Sequence, residues 1–183
     1  MKRHPVCGFV LPMLLFATES LAATYTVTNA ADVNFGGTLR RAINAANTNG
    51  PADRITFNLP PPYLIAPTGV LPSVSDASTT IDGSSQPGFS GTPIVHLCGT
   101  GAPASANGLS LSGSGSIVRG LMITKFQIGV GANGGITVVG CHIMSNSMQG
   151  VNISSTANNI IGGTDPTNRN EISANGQFGV QIR

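Results

Sequence analysis

The sequence predicts an all-β fold, a parallel β-helix solenoid with a short N-terminal capping helix. Three observations carry that expectation: short β-branched runs separated by Gly, Ser and Asn, one helical period near the start, and an ungapped internal repeat. The composition agrees. Only 9% of residues are charged while glycine numbers 24, which leaves too little Leu, Glu and Lys for a helical domain. The expected organisation is a signal peptide over residues 1–22, a strand-helix-strand cap over 23–62, and solenoid coils over 63–183.

The leader comes first. Lys2 and Arg3 precede an apolar stretch over 6–17, and Ser20, Leu21 and Ala22 place small residues at the cleavage spacing, so removal is expected after Ala22 or Ala23. This puts the mature chain outside the cytoplasm, secreted or at the cell surface. Cys7 lies inside the apolar stretch without the small-residue motif of a lipid-anchored protein, and it leaves with the leader. No later segment reaches the roughly 18 apolar residues of a membrane helix. Removing Lys2, Arg3 and Glu19 from nine basic and seven acidic residues leaves a formal charge of +1, which gives no electrostatic reason to expect nucleic acid as a partner.

Residues 24–28, Thr-Tyr-Thr-Val-Thr, read as a strand. The period then changes. Leu39, Ala42, Ile43 and Ala46 share one helical face, Thr38 can cap the N-terminus, and Asn49, Gly50 and Pro51 stop the helix, predicted over about residues 39–47. Alternation returns over 54–59 and breaks at Pro60, Pro61 and Pro62. Short β-type runs follow at 78–81, 93–97, 108–111 and 117–123.

The repeat lies in the last third. Residues 143–153 align without a gap with 172–182, so that Ile143, Asn146, Gly150, Val151 and Ile153 coincide with Ile172, Asn175, Gly179, Val180 and Ile182. A looser copy begins at Ile123 and reaches Val130. A repeat of about twenty residues holding several short strands describes one coil of a parallel β-helix, in which each residue stacks on its counterpart in the next coil. The segment 179–183 ends inside a strand without a capping element, so further coils are expected beyond Arg183.

The residues Gly37-Thr38-Leu39-Arg40-Arg41-Ala42-Ile43, Ile81-Asp82-Gly83-Ser84-Ser85-Gln86-Pro87-Gly88, and Asn159-Ile160-Ile161-Gly162-Gly163 with Arg169-Asn170-Glu171-Ile172-Ser173 carry a likeness. Together they resemble bacterial secreted, pectin-lyase-like repeat proteins that begin with a Cys-Ser-Leu-Arg-Glu-Ala type module. The resemblance covers almost all of the mature chain and implies a right-handed parallel β-helix solenoid in a large secreted or surface protein. Gly37 and Thr38 stand where that module has Cys-Ser, and Arg41 stands where a Glu would complete a capping box. Arg40 and Arg41 thus oppose the helix dipole at ~0.3–1 kcal/mol each, leaving packing to hold the helix.

The chemistry is sparse. Glycoside hydrolysis needs two carboxylates within roughly 5–10 Å, and the mature chain offers Asp32, Asp53, Asp76, Asp82, Asp165 and Glu171 with no pairing in sequence. Each reads as a turn or surface carboxylate. His96 and His142 are isolated, and neither Cys98 nor Cys141 begins a Cys-x-x-Cys pair, so no metal site is expected. Two surviving cysteines permit a disulfide but do not require one. The repeat alignment turns Cys141 inward and sets His142 beside Glu171, a pair that reads first as a surface ion pair and second as a catalytic dyad. The sequence therefore supplies no catalytic, cofactor or metal residues. The leading expectation is a structural or binding role, with polysaccharide or cell-surface components as partners. The alternatives are a polysaccharide lyase or glycoside hydrolase whose catalytic coils lie beyond residue 183, and the passenger of a surface-export system.

Overall fold

A computed structural model of the chain describes residues 21–154 and 158–183. The leader expected over 1–22 lies, for its first twenty residues, outside the described residues. In chain order the elements begin with β1 (Thr24–Val27), α1 (Leu39–Asn49), β2 (Arg54–Phe57), β3 (Leu64–Ile65), β4 (Thr80–Asp82) and β5 (Val95–Cys98). There follow β6 (Asn107–Leu111), β7 (Ile117–Arg119), β8 (Leu121–Thr124), β9 (Ile128–Ala132) and β10 (Thr137–Val139). The last are β11 (His142–Met144), β12 (Gln149–Ile153), β13 (Ile160–Ile161), β14 (Glu171–Ser173) and β15 (Phe178–Ile182).

These strands form three parallel sheets. The first runs β1-β2-β4-β7-β10-β13, the second β14-β11-β8-β5-β3, and the third β15-β12-β9-β6. The expected all-β, right-handed parallel β-helix solenoid is thereby corrected. Pairing stays within three separate parallel sheets of six, five and four strands, and an eleven-residue helix contributes to the core, so the fold is of α/β type and mostly sheet rather than a closed right-handed solenoid. The run expected over 117–123 shows how the sheets separate. Gly120, with φ +66°, breaks it into β7 of the first sheet and β8 of the second, a backbone conformation that glycine adopts without steric cost. A Cβ there would also come within 2.6 Å of the Ser84 amide nitrogen.

Each sheet buries apolar stacks along its inner face, and one row from each shows the pattern. Ile55, Ile81, Val118 and Val138 are ladder partners in the first, Leu97, Ile123, Ile143 and Ile172 in the second, and Leu109, Val130, Val151 and Val180 in the third. All but Ile172 and Val180 are buried. At ~1.5–3 kcal/mol for each fully buried side chain, these stacks are the main source of cohesion. The repeat register holds residue for residue: Ile143 pairs with Ile172, Val151 with Val180 and Ile153 with Ile182.

Helix α1 is the only helix longer than three residues among the described residues. Leu39, Ala42, Ile43 and Ala46 are its buried face, Thr38 Oγ1 accepts from the Arg41 amide at 3.3 Å, and Gly50 follows the last turn with φ 115°. It docks on β1 and β2. The charge opposed to its dipole is answered locally, because Arg40 makes a bidentate pair with Asp32 at 2.8 and 3.0 Å and donates to the Val70 carbonyl at 2.8 Å. Burial pulls the Asp32 pKa upward, but Arg40 and the Thr68 and Gly69 amides outweigh it and hold the carboxyl below its usual range. Among the described residues no helix is long and apolar enough to cross a membrane.

Candidate functional site

Side chains alternate across the first sheet, so the residues between its buried positions form an outer row. Thr26, Thr56, Asp82, Arg119 and Val139 are successive ladder partners in that row. Thr26 and Thr56 share a hydroxyl hydrogen bond of 3.0 Å. Asp82 ends β4 just before the 3₁₀ turn Gly83–Ser85, accepting from the Ser84 amide at 3.1 Å and the Ser84 hydroxyl at 2.5 Å. Its other oxygen accepts from Arg119 Nη2 at 2.7 Å and from Arg54 Nη2.

The resulting cluster is asymmetric in exposure. The Asp82 carboxylate is fully buried, whereas the Arg54 and Arg119 side chains are 48% and 45% exposed. Burial alone would raise the Asp82 pKa; donors from Arg119, Ser84 and Arg54 reverse the effect and set it at about 2. Because that value lies below the ordinary 3.8, the ionised carboxylate stabilises the fold by about 2 kcal/mol above roughly pH 4, a contribution lost as the pH falls toward 2. In urea unfolding the margin of the wild type over Asp82→Asn should shrink by about that amount between about pH 5 and about pH 2. Parallel pH profiles for the two proteins would refute the assignment.

A guanidinium has five N–H donors, and each arginine spends one on Asp82 with no other protein partner among the described residues. Two cations on one anion leave a formal charge of +1 with outward-facing donors. Beside them opens a cleft of about 220 Å³, lined by Ser84, Phe89, Arg119, Val139, Thr167 and Asn168 among others. It is smaller than the ~300–1,000 Å³ typical of enclosed ligand sites. The arrangement suits an anionic group held by the arginines with a small ring against Phe89.

The carboxylates considered from sequence stay apart, each with its own partners. Asp32 is held by Arg40 and Asp82 by two arginines, while Asp76 accepts from Thr79, Asp165 caps the turn at Thr167 at 2.8 Å, and Asp53 accepts the Ala23 amide. Of the carboxylates expected at turns or on the surface, Asp82 does cap a turn, at Gly83–Ser85, but it is buried rather than solvated, and Asp53 is buried too. His142 and Glu171 meet as the repeat alignment requires, at 3.7 Å with Glu171 more than half exposed. Among the described residues both cysteines, Cys98 and Cys141, are free. Cys141 is buried, and burial pushes its thiol up to about 12; Cys98 lies 3.0 Å from the Thr100 hydroxyl. His96 lies 2.8 Å from the Thr124 hydroxyl, and burial lowers its pKa. Among the described residues no three His, Cys, Asp or Glu side chains are grouped to hold a metal.

Sequence reasoning missed Arg54 and Arg119. One signal was available: Ile81-Asp82-Gly83 and Val118-Arg119-Gly120 repeat an apolar-charged-Gly pattern, and opposite charges at its middle position meet when those strands pair. No family model matches the chain, and no curated protein matches it.

Proposed function

We propose that the chain works outside the cytoplasm as a structural or binding protein, and that the outer face of its first sheet grips acidic carbohydrate. The supporting observation is the Arg54-Asp82-Arg119 cluster. A buried carboxylate fixes two half-exposed guanidiniums whose remaining donors match the planar fork of a uronate carboxylate. Phe89 and the hydroxyls of Ser84 and Thr167 line the adjoining cleft, offering a ring face and polar contacts to a sugar. The leader-like start and the motif resemblance to large secreted proteins support the location.

Titration calorimetry with an oligogalacturonate and a neutral gluco-oligosaccharide tests the reading. The acidic sugar should bind more tightly and more weakly with added salt. Arg119→Ala should weaken it by roughly 10–100-fold, as expected for losing a hydrogen bond to a charged group. Equal binding of both sugars, or no effect of Arg119→Ala, would overturn it. New reducing ends or unsaturated products that disappear on mutation of a named residue would favour a polysaccharide-cleaving enzyme instead.

A further inference from the structure

Asp53 is fully buried, yet among the described residues no Arg, Lys or His pairs with it. Its Oδ1 accepts from the Ala23 backbone nitrogen at 2.6 Å and from Asn49 Nδ2 at 3.3 Å; its Oδ2 is buried with no partner. A buried carboxylate without a countercharge is costly. Ala23 is also the point where the fold takes hold of the chain. Its carbonyl accepts from the Arg54 amide at 2.8 Å, and Thr24 begins the β1–β2 ladder. The two residues before it, Leu21 and Ala22, are exposed.

We propose that the chain is processed between Ala22 and Ala23, and that the α-ammonium so created docks on Asp53. Water adds across the Ala22–Ala23 amide under an export-pathway peptidase. The C–N bond breaks, Ala22 departs with the leader as a carboxylate, and the Ala23 nitrogen becomes –NH₃⁺. One amide donor is replaced by three donors and a positive charge at the atom already 2.6 Å from Oδ1, within reach of supplying the partner that Oδ2 lacks. Asn49 Nδ2, shared at 3.1 Å with the Leu21 carbonyl, is left to Asp53. Cleavage one residue later, at Thr24, would remove the nitrogen that meets the carboxylate, so the geometry chooses between the two sites the sequence allows. The inference rests on the reading of the chain as exported.

The test compares purified chains beginning at Ala23 and at Leu21, each with and without Asp53→Asn. The Ala23 form should melt higher, by on the order of 5–10 °C, and Asp53→Asn should erase the difference. Amine labelling gives a readout that does not depend on the variant folding, since a chain starting at Ala23 carries only its α-amine and the exposed Lys125. The α-amine should react at least about tenfold more slowly in the folded than in the urea-unfolded protein, as expected for a charge held by a buried pair, while Lys125 changes little. Equal melting of the two forms together with unprotected labelling overturns the docking. The terminus of the exported protein separates the two readings: Ala23 supports the site, Thr24 overturns it alone, and a retained Met1 sinks the export reading along with the cleavage.

Discussion

Ile43→Asp is expected to abolish soluble expression. Ile43 has no exposed surface and sits at the centre of the helix face formed by Leu39, Ala42 and Ala46, packed on β1 and β2. The substitution forfeits about 1.5–3 kcal/mol of apolar burial. It also places a carboxylate where no cation is paired within the buried face, a further cost of several kcal/mol. Against a net stability of about 5–15 kcal/mol for a domain of this kind, the sum removes most of the folding free energy. Arg41 supplies the control, being exposed on the same helix and three residues past the Thr38 cap. Arg41→Glu removes a charge opposed to the dipole and adds one that agrees with it, so a gain of about 0.5–1 kcal/mol is expected. The soluble fraction and the thermal melt of the two variants should move in opposite directions. An unchanged melt for Ile43→Asp would show that α1 is not part of the core.

The same helix shows what a sequence discloses about structure. Its buried face is a local period, four residues at spacings of three and four, and it is legible because all of them lie within two turns. The Ile143–Ile172 and Val151–Val180 pairs are legible for a different reason: parallel neighbours repeat the same residue type in the same order, so an ungapped alignment is a statement of register. Neither signal says how strands divide among sheets. The run over 117–123 reads as one β-type segment around Arg119 and Gly120, and the left-handed conformation at Gly120 assigns its halves to different sheets. The expectation of one closed solenoid failed at that level, where corner geometry decides the assembly. The candidate site was hidden for a further reason. Asp82 draws its cations from residues 28 and 37 positions away; the apolar-charged-Gly pattern it shares with Arg119 gains meaning only once the ladder order is known, and no such pattern points to Arg54.

Asn146→Leu should be strongly destabilising, because it removes a buried amide rather than apolar volume. The Asn146 side chain is buried where the chain passes from β11 to β12. Its Oδ1 accepts from the Phe126 amide at 3.0 Å, while its Nδ2 donates to the Ile123 carbonyl at 3.3 Å and to Asn175 Oδ1 at 3.0 Å. The amides thus stack as the repeat predicts, and each joins its own turn to a neighbouring one. Glycine makes room for them: a Cβ at Gly129 would lie 3.0 Å from Asn146 Nδ2, and one at Gly150 would lie 2.8 Å from Asn175 Nδ2. Leucine has nearly the same shape but no polar atom. It would strand the buried Phe126 amide and the Ile123 carbonyl at ~1–3 kcal/mol each, for a loss on the order of 3–5 kcal/mol. Asn175 performs the same service for the Asn146 amide, at 3.1 Å, and for the Ile143 carbonyl, but its own side chain is only half-buried in the segment between β14 and β15. Water can replace part of what its amide supplies, and Asn175→Leu should cost only about 1–2 kcal/mol. Denaturant midpoints measure the two losses, and hydrogen exchange at the Phe126 amide should accelerate only in Asn146→Leu. Equal losses at the two positions, or an unchanged Phe126 exchange rate, would show that the amide stack does not hold the turns together.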